Sequence, residues 1–282
     1  MIFKKFLVKD LDVKSAYHLL ISGISPRPIA LVGSIDKEKN SNLAPFSFFN
    51  AFGANPPIVG FSPALSGRTG LPKDTLLNIQ ETKEFTISIV NSSMVEQISL
   101  SSCEFDRKVD EFEKVGLTKF NSKIIKPYAV KESNFIMECK LHDIIELGGK
   151  PASGNLILGE VLQFHINKSV LTNTNQVDPY KLDPIARNGG SWYTDTKKGL
   201  FELKKPKNIG IGFDAIPDKI KESPYFKGNE LAKLASIENV PEKINVDLSL
   251  PSNNLYELCK NKIHQNKIEE AWQIIFLILE DE

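Results

Sequence analysis

SNLAPFSFFNAFGANPP, residues 41–57, sets Phe46, Phe48 and Phe49 within four positions, beside Pro45, Ser47 and Asn50. The stretch is shorter than the roughly 20 apolar residues that span a bilayer, and Pro, Gly and Asn break it too often for a helix. A segment of this composition is a poor source of regular ladder hydrogen bonds, so its backbone N–H groups need other partners, which is the usual situation of a ligand-serving loop. We therefore expect a loop whose Phe side chains form a dry wall. Its amides, with Asn42, Ser47 and Asn50, would then meet the polar edge of a planar aromatic ligand. Taken alone, the segment reads equally well as a Phe-rich plug in the end of a barrel.

Working outward, short β-branched or aromatic runs bounded by Gly, Pro, Asn or Ser recur from about residue 29 to 166: PIALVGSI, PIVGFSP, EFTISIV, NFIMECKLHDII and NLILGEVLQFHI. Such runs predict the strands of a barrel or sandwich. In EFTISIV, Phe85, Ile87 and Ile89 alternate with Thr86 and Ser88, as in a half-buried strand. TLLNIQET and SMVEQISLSS predict helices, the second behind the cap candidates Ser92 and Ser93. The fold class expected is mainly β with helices, a barrel under two or three covering helices, over residues 1–200. From residue 201 to 282 short helix-like pieces alternate with Pro and Gly, and Leu255, Leu258, Ile268, Ala271, Trp272, Ile275, Phe276 and Leu279 fall at helical spacing. This predicts a mainly helical C-terminal extension.

Composition narrows the function. Lys plus Arg and Asp plus Glu both number 35, so no net field gathers nucleic acid or an anionic membrane, and an anionic ligand must be held locally. Cys103, Cys139 and Cys259 are widely spaced with no CxxC or Cys/His cluster, which argues against a disulfide framework and a structural zinc. No base neighbours them in sequence, so none is assigned as a nucleophile. The first twenty residues lack the apolar core of a signal peptide, and IIFLIL (residues 274–279) is too short to span a membrane. We expect a soluble cytoplasmic protein with no metal, nucleic-acid or membrane partner.

SGRTGLPKDTLLNIQ, residues 66–80, carries a second signal. Arg68 and Lys73 stand beside Gly67 and Gly70, and Lys73-Asp74-Thr75 directly precedes a predicted helix, where free N–H groups and the helix dipole favour a phosphate. The alternative is that Asp74 or Thr75 simply caps the helix and Lys73 is a solvated charge.

SPRPIALVGSID, NLAPFSFFNAFGANPPIVGFSP and KDTLLNI, followed by FTISIVNSSMVEQISLSS, VDEFEKVGLT, KESNFIMECKL, LILGEVLQFHI and IARNGGSWY, together resemble the flavin reductase-like family. The resemblance runs from Ser25 to about Thr194, and the tail IGIGFDAIP…GNELAKLA looks like the extension of longer relatives. It implies an FMN-binding split β-barrel of Greek-key type. The loop matching Asn42, Leu43, Ala44, Pro45, Ser47, Phe48 and Asn50 would wrap the flavin ring, Ser62 would lie near the ribityl chain, and Arg68, Lys73, Asp74 and Thr75 would take the phosphate, with Arg27 a further candidate. His165 stands where reductases of the family carry a histidine thought to face the nicotinamide donor; a lone His on an alternating strand is also a common structural residue. Arg187 and Tyr193, with Trp192, flank a Gly189–Gly190 turn able to close over a flavin or simply to anchor itself.

The resemblance further implies a homodimer and an NAD(P)H:flavin oxidoreductase. NADH or NADPH would reduce the flavin, and electrons would pass to free flavin, oxygen, iron or a partner monooxygenase. Two rival readings stay open: a flavoredoxin-like electron carrier, and a flavin-binding or sensing module whose extension recruits a protein.

Overall fold

A computed structural model describes residues 1–203, 208–244 and 251–280. Residues 204–207, 245–250 and 281–282 of the expected extension thus lie outside the described residues. The chain divides into two compact units, Met1–Leu200 and Phe201–Glu282.

The first unit opens with α1 (Val13–Gly23), whose N-cap Asp12 accepts the Ser15 amide at 2.7 Å. Of this helix only Ile21 is buried. There follow β1 (Arg27–Pro28), β2 (Ala30–Ile35), β3 (Ser41–Phe46), β4 (Phe49–Ala54), β5 (Pro57–Phe61), α2 (Asp74–Thr82), β6 (Glu84–Ile89), α3 (Val95–Leu100) and α4 (Glu111–Val115). The unit is completed by β7 (Lys119–Phe120), β8 (Ala129–Val130), β9 (Phe135–Glu146), β10 (Asn155–Ile166), α5 (Pro179–Leu182), β11 (Ile185–Arg187) and β12 (Tyr193–Asp195). Seven strands form one antiparallel sheet in the order β3-β2-β6-β9-β10-β5-β4.

This order corrects the loop expected for residues 41–57. Those residues form the two edge strands of the sheet, β3 and β4, separated in sequence only by Ser47 and Phe48. A two-residue link cannot reach across a flat seven-stranded sheet, whose strands lie about 4.8 Å apart. The sheet must therefore curl until its first and last strands adjoin, which is a split barrel. Pro45 is tolerated because β3 is an edge, where one side of the strand needs no ladder donor. The Phe residues divide by face. Phe46 and Phe49 pack against the barrel core, while Phe48 and Phe52 are exposed. An aromatic series runs through the interior, with ring centroids 5.1 Å apart for Phe46–Phe61 and 5.6 Å for Phe61–Phe85.

β9 and β10 span the two longest strand-like runs read from the sequence. β6 departs from expectation: Thr86 and Ser88 are fully buried. The chain around residues 128–130 covers their face, where the Thr86 hydroxyl donates to the Tyr128 carbonyl at 2.8 Å and the Ser88 hydroxyl accepts the Val130 amide at 3.1 Å. A Cβ on Gly33 would fall 2.0 Å from that same Tyr128 oxygen, so only glycine admits this layer. Buried Leu31, Leu43, Met94, Ile98, Phe112 and Val130 form a second core outside the barrel interior.

The second unit contains α6 (Asp218–Lys221), α7 (Gly228–Leu234), α8 (Ser252–His264) and α9 (Ile268–Glu280). Its own core centres on Trp272, whose indole N–H donates to the Leu234 carbonyl at 3.2 Å. Burial pushes the Cys259 thiol up to about 12, and Cys139 in the barrel is raised by the same cause. Neither is poised as a thiolate.

Candidate functional site

A cavity of about 490 Å³ opens beside the end of β3, between the 66–75 segment, the 101–105 turn and the start of α4. Volumes of about 300–1,000 Å³ are typical of small-molecule and cofactor sites. Asn42, Ala44, Pro45 and Phe46 come from β3, and Ser66, Arg68, Thr69, Leu71, Pro72, Lys73, Asp74 and Thr75 from the approach to α2. Ser101, Ser102, Cys103, Glu104, Phe105 and Glu111 complete the lining.

Polar contacts tie α2 to the sheet. The Asn42 side-chain amide donates to Thr75 Oγ1 at 2.9 Å and to Ser34 Oγ at 3.2 Å, and the Asn78 amide reaches the same Ser34 oxygen at 3.2 Å. Asn42, Ser34, Thr75 and Asn78 are all buried. The N-cap residue of α2 is Lys73, whose side chain makes no capping bond. Neither Asp74 nor Thr75 takes the N-cap role considered from the sequence. The Leu76 amide already bonds the Lys73 carbonyl at 3.0 Å, so it is the amides of Asp74 and Thr75, both cavity-lining residues, that stand at the wall without a side-chain cap.

Charge gathers at the same place. Glu104 accepts from Lys73 Nζ at 2.6 Å and from Arg68 Nη2 at 3.0 Å. The Lys73 and Arg68 contacts hold the Glu104 carboxyl below the usual carboxylate range. Arg107 bonds Asp74 at 3.2 Å and the Asn78 side-chain oxygen at 3.3 Å. Glu111 is buried, and burial pushes its carboxyl up, although its Oε2 accepts the Leu43 amide at 3.0 Å.

The structure thus brings together seven of the residues singled out from the sequence: Asn42, Ala44, Pro45, Arg68, Lys73, Asp74 and Thr75. Leu43 points into the second core, and only its amide turns toward Glu111. A second group gathers around Arg27, which is 6% exposed. Its guanidinium donates to the carbonyls of Ile21 at 2.7 Å, Ile24 at 2.6 Å and Asn188 at 3.2 Å, touches Ser47 Oγ at 3.5 Å, and lies over the Phe48 ring. Its donors are spent on fastening α1 to the β11–β12 turn, which leaves little for a phosphate.

Arg187 stacks on Tyr193, 4.4 Å from the ring centroid. The expected turn is present: Gly190 has φ +60, and a Cβ on Gly189 would meet Ser22 Oγ at 2.6 Å. His18, Ser22, Ser25, Asn188, Gly189, Gly190 and Trp192 line a second hollow of about 620 Å³. Arg27→Ala is expected to cost about 2 kcal/mol in urea unfolding, because three carbonyls lose a charged donor; a loss under about 0.5 kcal/mol would show the fastening to be dispensable.

Asn50, Ser62 and His165 line neither hollow. The Asn50 side-chain oxygen accepts the Ala51 amide at 2.9 Å, and the Ser62 amide donates to the Phe48 carbonyl at 2.9 Å. His165 Nε2 lies 2.6 Å from Glu138 Oε1, and its ring meets Phe120 edge-on. Sequence reasoning missed Glu104, Phe105, Glu111 and the cavity role of Cys103. The only available signal was local, Asp110 capping α4 in VDEF, where it accepts the Phe112 amide at 3.0 Å. Among the described residues there is no group of three or more His, Cys, Asp or Glu able to hold a metal, and no helix long and apolar enough to cross a membrane.

A family model described as flavin reductase like domain matches residues 22–181. An uncharacterized protein of Aquifex aeolicus is 35% identical over 189 residues, covering 67% of this chain and 94% of its own length. Among solved structures, nitrilotriacetate monooxygenase component B from Bacillus cereus is similar at 32% identity and a TM-score of 0.67, over 73% of this chain and 99% of that one. A Shewanella frigidimarina protein described by its split barrel domain matches at 26% identity and a TM-score of 0.61, over 73% of this chain and 98% of that one.

Proposed function

The chain belongs to the flavin reductase like family, and from that premise we propose that it binds FMN in the 490 Å³ cavity and transfers reducing equivalents from NADH or NADPH to an electron acceptor. The observation that carries this reading is the pairing of an uncapped start of α2 with Lys73 and Arg68 on one cavity wall. Backbone N–H groups, the positive end of a helix dipole and two cations together form a seat for a phosphate. FMN, when bound, supplies the hydride-accepting chemistry; the protein supplies binding, orientation and exclusion of water.

Each part of the wall has its task. Lys73, Arg68 and the amides at the start of α2 would hold the phosphate. Asn42 and Thr75, locked to one another, fix the angle at which α2 meets β3. Ala44, Pro45 and Phe46 offer an apolar face to a planar ring, and Phe105 faces the cavity from the 101–105 turn. Glu111 holds the Leu43 amide, so the backbone of β3 beside the cavity keeps its position.

A homodimer fits the apolar surface left open on the first unit. Tyr17, Leu20 and Ile24 on or next to α1 are exposed, as is Phe52 on the edge strand β4. Patches of this kind mark protein interfaces. Similarity to a monooxygenase component B supports a monooxygenase among the electron acceptors.

The test is an absorbance spectrum of the purified chain reconstituted with FMN, followed under anaerobic conditions by NADH and then NADPH. Bound-flavin bands that bleach with one donor are the expected result. Bands that persist with both would turn the reading toward an electron carrier, and failure to take up FMN would overturn it.

A further inference from the structure

Glu104 lines the same cavity as Lys73 and Arg68 and is paired with both of them. Its two carboxylate oxygens are divided between the two cations of the cavity wall, Oε1 on Lys73 at 2.6 Å and Oε2 on Arg68 at 3.0 Å. That is the bridging pattern a phosphate would adopt on the same pair. We propose that Glu104 is a built-in competitor for the flavin phosphate, an internal carboxylate that must leave Lys73 and Arg68 before FMN is fully seated, and that FMN is consequently held as an exchanging ligand. The inference rests on the FMN reading given above.

The backbone around Glu104 keeps the competitor in place. Ser101 is buried and its hydroxyl donates to the Ile98 carbonyl at 2.9 Å, the Cys103 amide bonds the Leu100 carbonyl at 3.1 Å, and the Phe105 amide bonds the Cys103 carbonyl at 3.1 Å. The turn presents Glu104 across the cavity toward residues 31 and 36 positions earlier in the chain. The side chain itself is free to leave, for the Glu104 side chain is 53% exposed, and those of Arg68 and Lys73 are 85% and 40% exposed. Exposed ion pairs of this kind are weakly held because solvent screens them. A carboxylate buried on the pair would close the site; one on a solvent-exposed turn sets a modest, reversible tax on anion binding.

Charge decides the sign of the effect. With Glu104 in place, two cations and one anion leave a single net positive charge facing a phosphate that carries nearly two negative charges. Once Glu104 swings away, the pair matches the phosphate. Its neighbour Asp74 does not alter this balance, since it is paired with Arg107. A neutral flavin without the phosphate does not meet the contest at all. Glu104 is therefore predicted to lower affinity for FMN selectively, leaving riboflavin untouched.

The test compares wild type with Glu104→Gln in equilibrium fluorescence titrations of the full chain with FMN and, separately, with riboflavin. Stopped-flow measurement of FMN release accompanies them. Glu104→Gln keeps the size and polarity of an exposed side chain, and thermal melts monitor the fold. The expected result is FMN binding three- to tenfold tighter in the variant, as befits release of a screened ion pair, with slower release and riboflavin affinity unchanged. The gain should shrink as salt rises. FMN affinity within a factor of about 1.5 of wild type, or an equal gain for riboflavin, overturns the role of Glu104 while leaving the FMN reading standing. A wild-type chain and variant that both fail to bind FMN overturn the two together.

Discussion

Arg68→Ala combined with Lys73→Ala is expected to weaken FMN binding about a hundredfold and to leave riboflavin binding within about threefold of wild type. Hydrogen bonds to a charged group contribute roughly 1.5–3 kcal/mol each, and two at the lower bound amount to about 3 kcal/mol, or two decades in Kd. The α2 amides survive both substitutions, so binding is weakened and not abolished. Side chains as exposed as these, 85% for Arg68 and 40% for Lys73, leave the fold within about 0.5 kcal/mol when truncated. Fluorescence titration and a urea melt on the same samples separate the two effects. An unchanged FMN affinity would place the phosphate elsewhere. In this double variant Glu104→Gln has nothing left to release, so its gain in affinity should vanish; a gain that persisted would mean that Glu104 acts on some other group.

What the sequence disclosed and what it withheld follow the range of the interactions concerned. Strands β9 and β10 were legible because each carries its own alternation and its own boundaries. The start of α2 was legible because Lys73, Asp74 and Thr75 are contiguous. The 41–57 stretch was misread as a loop because Pro45 and the Gly and Asn residues argue against strands in general, but β3 and β4 are edges, and an edge tolerates them. Thr86 and Ser88 read as solvent-facing for a similar reason: nothing local announces that residues 128–130 will cover them. The least legible site residues are those whose partners are distant. Glu111 meets the Leu43 amide across 68 positions, and Arg27 meets the Asn188 carbonyl across 161. Arg27 stands as a further phosphate candidate only through the resemblance of its SPRP motif, and nothing local to that motif announces its partners. The fold instead surrounds it with carbonyl oxygens.

Glu138→Leu is expected to cost about 3–5 kcal/mol of unfolding free energy, enough to leave a chain of ordinary stability only marginally folded. Glu138 is fully buried in β9. Its carboxylate accepts the amides of Lys123 at 2.7 Å, Ile124 at 2.9 Å and Ile125 at 3.2 Å, and faces His165 Nε2 at 2.6 Å. Leucine would leave three N–H groups without an acceptor, each costing about 1–3 kcal/mol where water cannot reach. Glu138→Gln should lie between the two, since its amide nitrogen cannot accept. Burial pushes the Glu138 carboxyl up, but the amides of Lys123 and Ile124 and the His165 ring outweigh it, so the pKa falls below its ordinary value of 4.5. A depressed carboxyl stabilises the fold above its unfolded pKa and loses that contribution as pH falls through the folded one. Wild-type stability should therefore decline below about pH 4.5, and Glu138→Gln should flatten that decline; parallel urea midpoints in both proteins down to pH 3 would refute the assignment. His165→Ala tests the remaining contact, because it removes one bond from Glu138 and keeps three. If His165 serves only Glu138, the variant loses stability and reduces its flavin at the wild-type rate. Slowed reduction by NADH or NADPH at preserved flavin content would instead give the ring a part in meeting the donor, with Glu138 as the group that orients it.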